Sequence, residues 1–265
     1  MPDQGERIAL IGCGTSLFAA QSIAVLRESR GLGESDAFAA SEFPSGRRYD
    51  RVVAISRSGT TTEVVRALDS LAGRPSLALS AVPDSPVTRT AQRFIDLEFA
   101  DEKALVQTRF ATAVLAFAMA WLGLEEEVAA AATRVESAQG ADLAFDPVGF
   151  EHFVFLGSGS AVGLANEAAL KMRESAGVWA ESYPAMEYRH GPVSATNGST
   201  LVWPLGVVDS GVLDTAAAAG ATVAESDADP LVELVAIQRA AVMVALARGR
   251  DPEFPKHLTR SVVLA

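Results

Sequence analysis

Ile8–Ser16 reads IALIGCGTS and Phe153–Ala161 reads FVFLGSGSA. Each is a short apolar run, a Gly-x-Gly turn and the start of an Ala-rich stretch, so each reads as strand, tight turn and helix. Such runs alternate with helical stretches along the chain, the pattern of parallel strands joined by crossover helices. In the first half strands are expected at Arg7–Ile11, Val52–Ser56, Ser76–Ser80 and Phe94–Phe99, and helices at Ser16–Ser29, Thr61–Ala72 and Ala104–Trp121. The second half starts again with a strand at His152–Leu156 and a helix from Ala161 to about Val178. A strand near Thr200–Val208 and a helix over Pro230–Ala247 follow. The repetition predicts an α/β protein of two tandem domains, each a parallel β-sheet flanked by helices. They span residues 1–125 and 150–265, with a helical connector over 126–149 where charged, Ala-rich helix gives way to DLAFDPVGF.

Bulk properties narrow the function. At 265 residues and 49% hydrophobic the chain can bury a full core, and two modest domains suit that length. A net charge of -11, with a pI near 4.8 and no basic patch, argues against nucleic acid or an anionic membrane as partner. Cys13 is the only cysteine, which excludes an internal disulfide and leaves too few thiolates for a cysteine-based zinc or iron–sulfur site. A reducing cytoplasm is the expected compartment, and no metal or cofactor is implied. The opening MPDQGERIALIG lacks the basic start and long apolar stretch of a signal peptide. The most apolar run, Phe110–Leu124, is too short for a membrane span and reads as a buried helix.

Both Gly-x-Gly turns lack the third glycine of a dinucleotide fingerprint, and no Gly-Lys-Ser/Thr follows to make a P-loop. A tight strand-to-helix turn is the plainer reading of each. The stronger signal is VVAISRSGTTTEVVRAL, where a buried strand runs into Ser56, Arg57, Ser58, Gly59, Thr60 and Thr61 ahead of an amphipathic helix. Hydroxyls, backbone N–H groups and the positive helix end can converge there on a dianion. Helix capping by Thr61 or Thr62 would explain the same residues. Thr15 and Ser16 end the neighbouring strand and would face the same crevice, which favours phosphate over capping alone. The nearest match in the second half, VVDSGVLD, sets Asp209 where an anion would be repelled, so one phosphate site per chain is expected.

From Glu167 the sequence reads EAALKMRESAGVWAE, and Glu167, Lys171, Glu174 and Glu181 share one face if the helix runs that far. Such a stripe is also what a solvated surface helix shows. Its position after a Gly-rich strand end, at the ligand-binding edge, favours a chemical role. MEYRHGP then sets His190 in a turn fixed by Gly191 and Pro192, the best placed of the three histidines for chemistry.

Together these residues resemble the SIS (sugar isomerase) family in its tandem form, similar to the isomerase part of glucosamine-6-phosphate synthase and to tagatose-6-phosphate ketose/aldose isomerases. The resemblance rests on GCGTS at Gly12, ASEF at Ala40, SRSGTTTE at Ser56, QTRFAT at Gln107, EAALKMRESAGVWAESYPAMEYRHGP at Glu167 and LTRSV at Leu258, in the family's order. It implies two three-layer, flavodoxin-like αβα domains and a phosphosugar aldose/ketose isomerase, extending to an amino-sugar-phosphate isomerase or deaminase. By that resemblance Ser16, Ser56, Ser58 and Thr61 bind the sugar phosphate, with Thr15 and the backbone of Arg57 nearby. Glu174 moves the proton between C1 and C2, Lys171 supplies a positive charge, and His190 opens the ring. Glu167 and Arg260 are further expected substrate contacts. Relatives offer the histidine across a dimer interface, so a homodimer with a shared active site is implied.

Arg260 stands where the synthase has a lysine, and an arginine neither loses its proton nor forms an imine at useful rates. With no glutamine-hydrolysing domain in the sequence, amination is the less expected chemistry. The family's helix ahead of the first strand is also missing, and the stretch between Asp209 and Pro230 is compact. A non-catalytic phosphosugar sensor is the competing reading. A sensor needs the hydroxyl loops but neither Glu174 nor His190.

Overall fold

The computed structural model describes residues 1–138, 143–226 and 229–264. It divides into two compact units, Met1–Glu125 with His257–Ala265, and Glu126–Lys256. Both are α/β, with parallel sheets flanked by helices.

The first unit runs β1 (Ile8–Gly12), α1 (Thr15–Ser29), β2 (Ser35–Ala39), β3 (Arg51–Ile55), α2 (Thr62–Asp69), β4 (Ser76–Ser80), α3 (Pro86–Thr90), β5 (Arg93–Asp96) and α4 (Arg109–Trp121). The sheet order is β2-β1-β3-β4-β5, all parallel, with Ile8 opposite both Ser35 and Arg51. Buried on both faces, β1, β3 and β4 are nearly continuous apolar runs, whereas edge strand β5 is largely exposed. From β1 the chain steps one way to β2, and from β3 the other way to β4. Right-handed crossovers therefore set α1 and α2 on opposite faces, where α1 packs with α4 and α2 with α3. Ile11, Val52, Ala54, Val64, Leu68 and Ala78 form the core beneath α2.

In the second unit α5 (Glu125–Ala138) precedes β6 (His152–Gly157), α6 (Ala161–Lys171), β7 (Trp179–Pro184), β8 (Thr200–Leu205), α7 (Ser210–Ala218), β9 (Thr222–Val223) and α8 (Pro230–Ala247). The order β7-β6-β8-β9 repeats the first four strands of the other sheet. By length and composition α8 could cross a membrane. Its Leu234, Ile237, Ala241 and Val244 are buried, it packs against α6, and its Glu233 accepts the Trp203 indole N–H at 2.6 Å.

The two Gly-x-Gly turns are physically equivalent. A Cβ on Gly12 would lie 2.6 Å from the carbonyl carbon of Ser16, and one on Gly157 would lie 2.3 Å from the carbonyl oxygen of Ala161. Gly14 and Gly159 both take positive φ, 54° and 57°. Each pair lets a strand end abut the first turn of its own helix, as a bare strand-to-helix turn requires.

Several expectations are corrected. β2, β7, β9, α3 and α7 carry no clear signal in the sequence pattern. The helix expected from Ala104 starts at Arg109, because the Glu102 carboxylate accepts the backbone N–H groups of Thr108, Arg109 and Phe110 and starts it there. The helix through Lys171 ends at Ala176, so Glu181 sits in β7 rather than on the charged stripe. Helix α5 belongs to the second unit and His257–Ala265 to the first. Residues 139–142 of the expected connector, and 227–228 of the compact stretch, lie outside the described residues.

Candidate functional site

In the first unit β1 and β3 lie side by side, and the chain leaves them in opposite directions. Their carboxyl ends therefore flank the topological switch point, where open α/β sheets hold ligands. Thr15 and Ser16 occupy the first turn of α1 there, both buried, and no side chain caps that helix. Ser56, Arg57 and Ser58 follow β3 and are also buried. The loop is tightly wound: Ser56 Oγ accepts the Gly59 N–H at 3.1 Å, and Ser58 Oγ accepts the Thr60 N–H at 3.3 Å. Gly59 has φ +64°, and a Cβ on it would meet Ser85 Oγ at 2.0 Å, so only glycine fits.

Thr61 is the residue before α2, but it makes no side-chain cap. The capping alternative from sequence therefore does not account for the hydroxyls. The Arg57 guanidinium turns into the protein, donating to the carbonyls of Ala104 at 2.8 Å and Leu105 at 3.2 Å. This leaves Arg57 to contribute backbone rather than charge to the loop. Arg260 likewise spends its guanidinium within this unit, on Asp101 Oδ2 at 2.7 Å and the Glu102 carbonyl at 2.7 Å.

In the second unit Glu167, Lys171 and Glu174 come together. Lys171 Nζ lies 3.3 Å from Glu167 Oε1 and 2.6 Å from Glu174 Oε2. The Lys171 and Glu167 side chains are 1% and 2% exposed while Glu174 keeps 21%, so Glu174 is the member that can reach a bound molecule. Burial pushes the Lys171 ammonium down, but the Glu167 and Glu174 carboxylates outweigh it and hold its pKa above the ordinary lysine value. The stripe is thus a buried ion cluster, not a solvated surface pair.

Local backbone explains the placement. After Lys171 the helix widens into a π turn over Met172–Ala176, a feature frequent at functional sites, and Gly177 ends it at φ +61°. Arg173 donates to the Ala180 carbonyl at 2.6 Å, tying the turn that carries Glu174 to β7. Sequence periodicity flagged the charged trio, but no sequence signal marked the π turn or Arg173. Glu181 Oε2 instead accepts from His152 Nε2 at 3.1 Å, and His152 Nδ1 meets Thr200 Oγ1 at 3.0 Å. That triad is structural, since Thr200 is fully buried.

His190 follows a 3-10 turn over Ala185–Arg189 and is exposed. Among the described residues no hydrogen bond or ion pair joins it to the Lys171 cluster. After β8, where the first unit carries its hydroxyl loop, Asp209 accepts the Gly211 N–H at 3.0 Å and caps α7. Among the described residues no group of three or more His, Cys, Asp or Glu could hold a metal ion.

Residues 3–122 match the SIS domain family. Glutamine–fructose-6-phosphate aminotransferase [isomerizing] of Sulfurisphaera tokodaii is 28% identical over 299 residues, covering 98% of this chain and 50% of that protein. Its counterpart in Methanothermobacter thermautotrophicus is 30% identical over 305 residues, covering 98% of this chain and 52% of its own length. The chain spans about half the length of these curated relatives. Among solved structures, glucosamine-6-phosphate deaminase of Thermotoga maritima matches with TM-score 0.86 and 26% identity, covering 97% of this chain and 91% of its own. Tagatose-6-phosphate ketose/aldose isomerase of Escherichia coli matches with TM-score 0.80 and 20% identity, covering 98% and 85%.

Proposed function

We propose, from the premise that this chain carries a SIS domain over residues 3–122, that it is a phosphosugar aldose/ketose isomerase built from two tandem SIS domains. The domains correspond to the two compact units, Met1–Glu125 with His257–Ala265 and Glu126–Lys256, and each has the three-layer, flavodoxin-like arrangement. The observation that carries the reading is the buried Glu167–Lys171–Glu174 cluster with its one partly exposed carboxylate.

Aldose/ketose exchange needs a base that takes an acidic C–H proton and returns it to the neighbouring carbon through an enediol(ate). Glu174 serves as that base. The Lys171 ammonium, held by two carboxylates, fixes Glu174 in place and adds positive charge beside the enediolate. Glu167 holds Lys171 from the other side. Anion recognition falls to the hydroxyls of Ser16, Ser56, Ser58 and Thr61, with Thr15 and the backbone of Arg57 beside them. His190 handles the ring oxygen and comes from a second copy, so the working form is a homodimer with a shared active site. Its exposure in the single chain fits a residue offered to a partner. A reducing cytoplasm suits the single cysteine.

A second reading, an amino-sugar-phosphate isomerase that releases ammonia, is favoured by the match to the Thermotoga maritima deaminase, which covers 91% of that structure. Arg260 supports it by being unsuited to imine chemistry. The test is a screen of hexose 6-phosphates and their 2-amino forms, scoring isomerisation and ammonia release separately. Turnover of at least one sugar phosphate is expected. Tight binding across the panel with no turnover would instead establish the sensor reading.

A further inference from the structure

The His190 side chain is exposed and, among the described residues, carries no hydrogen bond or ion pair. Its place is therefore set by the backbone, and that backbone is a loop between two 3-10 turns, Ala185–Arg189 and Pro192–Ala195. The His190 N–H donates to the Glu187 carbonyl at 2.9 Å, and the Ser194 N–H donates to the Gly191 carbonyl at 2.9 Å. Gly191 takes φ +127°, which permits the sharp reversal beside the histidine.

The loop is fixed at both ends. Tyr188 is fully buried and packs with Val154, Leu156, Val202 and Val212, and Val193 on the far side of His190 packs against the same cluster. The Tyr188 hydroxyl is hydrogen-bonded to Thr196 Oγ1, so that one bond closes the loop around His190. Thr196 is itself a fixed post. Beside it the Asn197 N–H donates to Thr200 Oγ1 at 3.1 Å, the Thr200 N–H donates to the Asn197 carbonyl at 2.9 Å, and buried Thr200 opens β8. Burial holds the Tyr188 phenol above the ordinary tyrosine value, so it stays a neutral hydrogen-bonding group. A phenylalanine ring would fill the same apolar space. What the hydroxyl adds is the tie between the two ends of the loop. We infer that Tyr188 and Thr196 are positioning residues for His190, their hydrogen bond clamping the 188–196 loop so that the imidazole meets the ring oxygen of the sugar phosphate at a fixed place. The inference rests on the proposed ring-opening role of His190.

The test reads ring opening directly, as the rate at which the whole chain interconverts the α and β anomers of glucose 6-phosphate, followed by exchange NMR. Tyr188→Phe and Thr196→Val are each expected to slow it about tenfold with KM unchanged, since a small misplacement of a reacting group is costly in rate. The double variant should be no slower than either single one, because all three lack the same bond. Thr196→Ser keeps the hydroxyl and should stay within about twofold of the wild type, as expected where one neutral hydrogen bond carries the effect. Without ligand, amide hydrogen exchange over residues 189–195 should rise about fivefold in Tyr188→Phe, with β6 and α8 unchanged. Wild-type anomerisation in Tyr188→Phe, or additive losses in the double variant, overturns the positioning role. So does exchange that rises throughout the unit, which makes Tyr188 a residue of the fold alone. Anomerisation that His190→Asn leaves unchanged overturns the ring-opening role of His190 itself, a separate failure.

Discussion

The two units repeat the strand order 2-1-3-4 and the Gly-x-Gly turn after the first strand, yet the polar groups on that scaffold differ. In the first unit the loop after the third strand carries Ser56, Ser58, Thr60 and Thr61, and α1 begins with buried Thr15 and Ser16. In the second unit the loop after the third strand carries Asp209, which caps its own helix, and the buried Glu167–Lys171–Glu174 cluster sits at the end of α6. A fold that presents helix starts at one sheet edge offers two kinds of place. One is the loop, where N–H groups and hydroxyls suit an anion. The other is the far end of the helix, where a buried ion pair can hold a base. Under the proposed function the first kind of place serves binding and the second proton transfer, so substitutions in each unit should affect only one of them.

The largest effect is expected at Lys171. Lys171→Met would leave Glu167 buried without its cation, so stability measured by denaturant unfolding should fall by about 3 kcal/mol or more. The raised Lys171 pKa also fixes a pH dependence. Its contribution is full below the unfolded value of about 10.4 and is lost as pH rises through the higher folded value. Thermal unfolding of the wild type should therefore drop in strongly alkaline solution by more than that of Lys171→Met.

A smaller effect is expected in the first unit. Ser58→Ala should weaken binding of inorganic phosphate by about tenfold, the scale of one hydrogen bond to a charged group, with the bound enzyme's turnover little changed. A fall confined to turnover would erase the distinction between the units. The smallest effect belongs to Asp209→Ala, which removes a helix cap and should cost about 1 kcal/mol of stability with phosphate affinity unchanged. A change in phosphate affinity there would mean that the second loop also handles the anion.

The sequence exposed this scaffold where apolar runs are continuous. β1, β3, β4, β6 and β8 were legible because strands buried on both faces carry little else. β2 (SDAFA) and β7 (WAESYP) were not, because edge strands keep polar residues such as Asp36, Glu181 and Ser182. Glu181 fits the charged helical stripe by spacing alone. Gly177, in a left-handed conformation, breaks the helix first. The trio Glu167, Lys171 and Glu174 was visible as a stripe, but its burial was not, since the same spacing suits a solvated face. The Ser261 contact with Thr60 and Thr61 joins residues about two hundred positions apart through half-buried side chains, and no local pattern encodes such a pairing.

Glu174→Gln tests the central claim most directly, with binding and turnover measured on the same sugar phosphate. The substitution keeps the shape and a hydrogen-bonding group for Lys171 but removes the base. Affinity should stay within about twofold while turnover falls by about a hundredfold or more, the scale of a single acid/base residue. Turnover equal to that of the wild type would contradict the assignment of proton transfer to Glu174.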